Sequence, residues 1–126
     1  MTEFSMSAKY AQNPILKLTF EFSILIVEFT ESLELQRKYT IAKQVIRSGT
    51  SIGANVKEAQ NAESKRDFVH KMKIALKEAD ETEYWLFICQ SIPNYPKPNL
   101  LLERLNSIIR ILNKIIGTSK RIENIR

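Results

Sequence analysis

The single histidine and single cysteine of this 126-residue chain decide most of the chemistry open to it. Asp67 and His70 stand at the i, i+3 spacing that puts a carboxylate and an imidazole on one helix face, which is half of a di-metal carboxylate site. The other half needs a second histidine, and the sequence has none. Zinc binding, haem attachment and Ser/His/Asp or Cys/His catalysis fail on the same shortage. No catalytic residue, metal ligand or cofactor-binding residue is assigned, and no cofactor is expected.

Residues 48–55, SGTSIGAN, have the glycines and hydroxyls of a phosphate-cradling loop but lack its Lys-Ser/Thr ending and its preceding strand. Gly49 and Gly53 fit a different role. Inside a helix each costs roughly 1 kcal/mol relative to Ala. With Ser48, Ser51 and Ala54 they leave one side of the helix narrow, which permits close approach of a neighbouring backbone.

Charge offers more. Arg66, His70, Lys73 and Lys77 recur at helical spacing, and Arg110, Lys114 and Arg121 form a second stripe, each opposite an apolar face. A solvated outer face accounts for such stripes. Converging across an oligomer, they would make a repeated basic surface suited to phosphate backbones. No motif specifies a sequence or separates RNA from DNA. The net charge is +5, unevenly spread: residues 1–34 carry two Lys and five Glu, whereas residues 97–126 carry seven Lys or Arg and two Glu. The basic excess therefore lies toward the C-terminal end, where an acidic partner or nucleic acid would meet it.

A third group is polar and partly inward. Asn55 falls at the edge of one apolar arc and Glu83 inside another. A buried carboxylate must be paired or protonated. Asn55 and Glu83, with Arg47, Glu58 and Glu78, are therefore expected to form a structural network that fixes helix register, or an interface contact.

The elements that position these residues are helices. Asn13-Pro14 is a strong start, because Asn caps free amides and Pro costs nothing at the first helical position. The periodicity predicts four helices, at about 14–35, 39–60, 64–91 and 98–119. Ser64 caps the third, with Asp67 three residues later in a capping-box pattern. Prolines at 93, 96 and 98 mark the clearest loop. Short connections between long helices favour antiparallel neighbours, so the expected fold is all-α, an antiparallel up-and-down four-helix bundle filling one domain over residues 1–126.

The first helix has two apolar faces. Ile15, Leu18, Phe22, Leu25, Ile26, Phe29 and Leu33 form one. Leu16, Phe20, Ile24, Val27 and Leu35 cluster on nearly the opposite side. Burying such side chains contributes roughly 1.5–3 kcal/mol each, so a second buried surface is expected, with self-association through Leu16, Phe20, Ile24 and Val27. The alternative is that the chain's own termini cover this helix. Lone Cys89 cannot form an internal disulfide, which fits a cytoplasmic protein. The most apolar run, residues 22–27, is too short to span a bilayer, and residues 1–10 do not read as a secretory leader. No membrane partner is expected.

SIGANVKEAQ at 51–60, SKRDFVHKMKIALKEA at 64–79 and ETEYWL at 81–86 together resemble a bacterial four-helix bundle family, the 23S rRNA intervening-sequence proteins, also called S23 ribosomal proteins. The first and fourth helices agree mainly in length and apolar pattern. Many relatives have Glu-Gly at the end of the second helix, where this chain has Glu58-Ala59. The resemblance implies an up-and-down bundle assembled as a homopentamer. Similar bundle proteins accompany reverse transcriptases of diversity-generating retroelements and bind enzyme and nucleic acid through a basic surface. The residence of family members in rRNA genes is genomic context and not RNA binding. The leading reading is a non-enzymatic, oligomeric bundle that binds RNA, DNA or a nucleoprotein partner such as a reverse transcriptase. The alternative is a protein-interaction scaffold that binds no nucleic acid, and an enzyme comes third.

Overall fold

A computed structural model describes residues 8–125, with side chains from 10 to 121; most of the N-terminal segment considered as a leader lies outside them. The chain forms α1 (Ala8–Ala11), α2 (Pro14–Leu35), α3 (Tyr39–Ala59), α4 (Lys65–Ser91) and α5 (Asn99–Ile125). Helices α2 to α5 make an antiparallel up-and-down bundle. Each packs on the next, and α5 returns to α2, so the four stand in a ring with no diagonal pairing.

Local chemistry sets the ends. Asn13, in extended conformation, accepts from Leu16 N–H at 3.2 Å ahead of Pro14. Its amide also donates to Gln60 Oε1 at 3.0 Å, tying the start of α2 to the end of α3. At the other end of α2, Lys38 N–H reaches Leu33 O and Arg37 N–H reaches Glu34 O, the paired bonds of a Schellman stop. Arg37 takes the left-handed conformation this motif needs, at φ 61°. Ser64 caps α4 by accepting from Asp67 N–H, while Asp67 Oδ2 accepts from Glu63 N–H rather than from the capping residue's own amide. The end of α4 is closed by Lys97, whose Nζ donates to Ile92 O at 2.6 Å.

The core follows the apolar arcs. Phe22, Ile26 and Leu33 of α2 meet Val45, Ile52 and Val56 of α3, Met72 and Leu86 of α4, and Leu105 and Leu112 of α5, all fully buried. Three buried hydroxyls are satisfied on their own helices: Thr19 donates to Ile15 O, Ser48 to Gln44 O and Thr82 to Glu78 O, whereas Thr30 Oγ1 is buried without a partner among the described residues. The small-residue side of α3 lies against α2, where a Cβ on Gly53 would stand 3.1 Å from Thr19 O.

Leu16 corrects the two-faced reading of α2. It is only 1% exposed, inside the core rather than on an outer face. The short α1, which matches the alternative of cover by the chain's own termini, contributes to this together with α3, whose Gly53 and Ala54 border the same surface as Leu16 and Tyr10. Helix α1 folds over the first turns of α2, and Tyr10 sets its ring edge-on against Phe20 at 5.5 Å between centroids. Phe20 is half-buried as a result. Ile24, Val27 and Leu35 remain outward, 43%, 39% and 86% exposed.

Candidate nucleic-acid interface

The outward line of α4 is ordered along its length. Arg66, His70, Lys73, Lys77, Asp80, Tyr84, Phe87 and Ser91 alternate three- and four-residue steps, and all eight are exposed. That spacing keeps them on one side of the helix, turned away from Met72, Ala75, Ala79 and Leu86 in the core. The first four are basic side chains, and the last part carries two aromatics.

Because α5 runs antiparallel beside α4, its C-terminal part lies along the first turns of α4. Lys120 there shares a groove of about 260 Å³ with Arg66, Val69, His70 and Lys73. Among the described residues the groove has no acidic lining residue. The groove joins part of the α4 stripe to Lys120, a residue outside both predicted stripes. Arg110, Lys114 and Arg121 are exposed on α5 but do not line this groove. Among the described residues the ion pairs join Arg47 to Glu78 and Glu81, and Lys71 to Glu58, so none neutralises Arg66, Lys73, Lys77, Arg110, Lys114 or Lys120. The result is a predominantly positive surface on α4 and α5, with Glu81 acting on Lys77 through space only. Across the bundle from α4 the charge differs: Glu28, Glu31 and Glu34 lie exposed on α2, and Glu28 shares a groove with half-buried Glu21 and with Arg104 of α5.

The predicted polar network is built differently. Arg47 of α3 donates to Glu78 and Glu81 of α4, and Trp85 Nε1 donates to Glu81 Oε2 at 3.1 Å. The indole N–H and then the guanidinium hold Glu81 below its usual range, and the hydrogen bond to Glu81 raises Arg47. Glu58 pairs separately with Lys71 at 3.0 Å. Asn55 spends its amide on Ser51 O within its own helix. Glu83 is half-buried, and among the described residues it makes no hydrogen bond or ion pair. The inward place next to it belongs to Thr82, whose hydroxyl is satisfied by the preceding turn. Glu81 and Trp85 stand outside the network expected from the sequence. Their i, i+4 spacing, three and seven residues beyond Glu78, is the signal that marks them.

Asp67 and His70 do not grow into a metal site. Asp67 closes the helix start, and the described residues contain no cluster of three His, Cys, Asp or Glu side chains able to hold an ion. Cys89 is buried, and burial pushes its thiol up to about 11, against the pull of Lys97. No described helix is long and apolar enough to cross a membrane.

Comparison with known proteins agrees with this architecture. A crystal structure of a protein of unknown function from the S23 ribosomal protein family, from Bacteroides thetaiotaomicron VPI-5482, is 38% identical and superposes with a TM-score of 0.77, covering 81% of this chain and 97% of that one. No curated protein matches the chain significantly. The sequence profile of the 23S rRNA-intervening sequence proteins matches residues 11–116. The chain belongs to the 23S rRNA-intervening sequence protein family.

Proposed function

We propose that this protein is a non-enzymatic, self-associating bundle that binds nucleic acid or a nucleoprotein partner through the basic faces of α4 and α5. The observation that carries this reading is the groove where Arg66, His70 and Lys73 meet Lys120 without a carboxylate between them. Like charges brought together without internal partners repel one another, and a polyanion relieves that repulsion while releasing counterions. The outward Ile24, Val27 and Leu35 support self-association through α2. The family resemblance implies five copies, which would repeat the basic groove around one particle.

The test is affinity for RNA and DNA as a function of salt. Binding should weaken steeply as salt rises, and charge reversal at Lys73, Lys77, Arg110 and Lys114 together should abolish it. Negligible affinity for both polymers at low salt would leave the second reading, a protein scaffold, which the exposed Tyr84 and Phe87 favour.

A further inference from the structure

We propose that the outward line of α4 binds single-stranded nucleic acid, its basic half holding phosphates while Tyr84 and Phe87 stack on bases. The proposal rests on the nucleic-acid reading above and adds the form of the strand. Tyr84 is 60% exposed and Phe87 48%, and with half-buried Ile88 and Ile92 they border an apolar surface groove on α4. These rings lie on the same line of the same helix as Arg66, Lys73 and Lys77, so one linear ligand reaches both halves.

Length agrees with this. From Arg66 to Phe87 the helix rises about 32 Å at 1.5 Å per residue. That spans roughly nine nucleotides at the 3.4 Å spacing of a stacked strand, and fewer in an extended one. Asp80 interrupts the positive run and marks where phosphate contact gives way to ring contact.

A duplex uses this line poorly. Its bases are already stacked, so their faces are closed to Tyr84 and Phe87. The two rings bring little to a duplex groove, since Phe87 has no hydrogen-bonding group for a base edge and Tyr84 only its hydroxyl. A single strand presents a π-face at every base, and ring stacking beside a positive track is the physical recipe for holding it. The acidic side of α2 repels the same ligand, so the strand is confined to α4 and the adjoining part of α5.

Trp85, the one tryptophan, reports on the site, because its ring lies 5.4 Å from that of Tyr84 in an edge-to-face contact. The experiment titrates the full chain with a labelled oligo-dT of about 12 nucleotides and with a duplex of equal length. Label anisotropy and Trp85 emission are followed together. Oligo-dT should bind roughly tenfold tighter than duplex and change the Trp85 emission. Its log affinity should fall against log salt with a slope of about −3, as expected for Arg66, Lys73, Lys77 and Lys120 on a single strand. Tyr84→Ala and Phe87→Ala should each weaken it by roughly 5- to 100-fold at an unchanged slope, and Tyr84→Phe should retain affinity. Both rings are exposed, and thermal melting verifies that each variant is folded.

Equal affinity for duplex overturns the proposal. So does an unchanged oligo-dT affinity in both alanine variants while Lys73→Glu abolishes binding, an outcome that leaves the broader nucleic-acid reading standing. Alanine variants that alter sedimentation but not affinity assign the rings to a contact between copies, which also overturns it. Absence of binding to either probe at low salt removes both readings together.

Discussion

Gly49 of α3 lies so close to Ile26 of α2 that a Cβ on the glycine would meet the isoleucine's side-chain carbons at 2.8 Å. Ile26 is fully buried and has no room to withdraw. Gly49→Ala should therefore incur overpacking of about 1–3 kcal/mol, offset by about 1 kcal/mol of recovered helix propensity. Gly117 of α5 is the control, since a Cβ there meets nothing within 4 Å. Gly117→Ala should stabilise by up to about 1 kcal/mol. Urea unfolding of the two variants measures both, and a gain at Gly49 would contradict the close approach.

Glu81 makes a small pH-dependent contribution. Its folded-state pKa is held below the ordinary value of 4.5, so the charged form is favoured in the folded chain. This stabilisation is complete above the ordinary carboxylate range and is lost as pH falls through the depressed value. Arg47 and Glu81 both face solvent, which limits the effect to less than about 1 kcal/mol. Glu81→Gln should be slightly less stable at neutral pH, with the difference closing between about pH 5 and pH 3. A constant difference across that window would place the contribution elsewhere.

Cys89 should be chemically silent in the folded protein. Its thiol, raised to about 11, is neutral at pH 8 and fully buried. Reaction with an aromatic disulfide reagent should follow the opening rate of the bundle and become immediate in denaturant. Rapid labelling under native conditions would show that the end of α4 is open.

Ile24 and Val27 are the residues on which self-association is expected to depend. Replacing both with Lys should leave the core intact, because neither side chain is buried, and should lower the mass seen by light scattering to that of one chain. A native protein that is already monomeric at micromolar concentration would remove α2 as an interface.

Sequence legibility followed the range of the forces involved. The caps at Asn13 and Ser64 are visible because the side chain and the amide it serves are three residues apart. The burial of Leu16 is not visible, because it depends on how α1 and the narrow side of α3 meet around α2, and a four-residue helix has no periodic signature. Helical spacing sets Glu83 inward because small angular errors accumulate along a 27-residue helix, while Thr82 is admitted to the core by a hydroxyl that bonds its own backbone. Lys120 is hidden in the sequence for another reason. It lies off the Arg110, Lys114 and Arg121 line, and only the packing of α5 on α4 brings it to Arg66.

The ring order of the helices carries a kinetic consequence. Three of the four seams join consecutive helices and close over short connections, whereas the α2 and α5 seam joins the first and last helices of the bundle and is the thinnest of the four. Loop closure across nearly the whole chain must precede any gain from that seam, so it is the last to form and the first to part. Amide exchange should accordingly report α3 and α4 as the slowest-opening pair. The edge at which this bundle breathes is the seam beside the outward Ile24, well away from the basic groove.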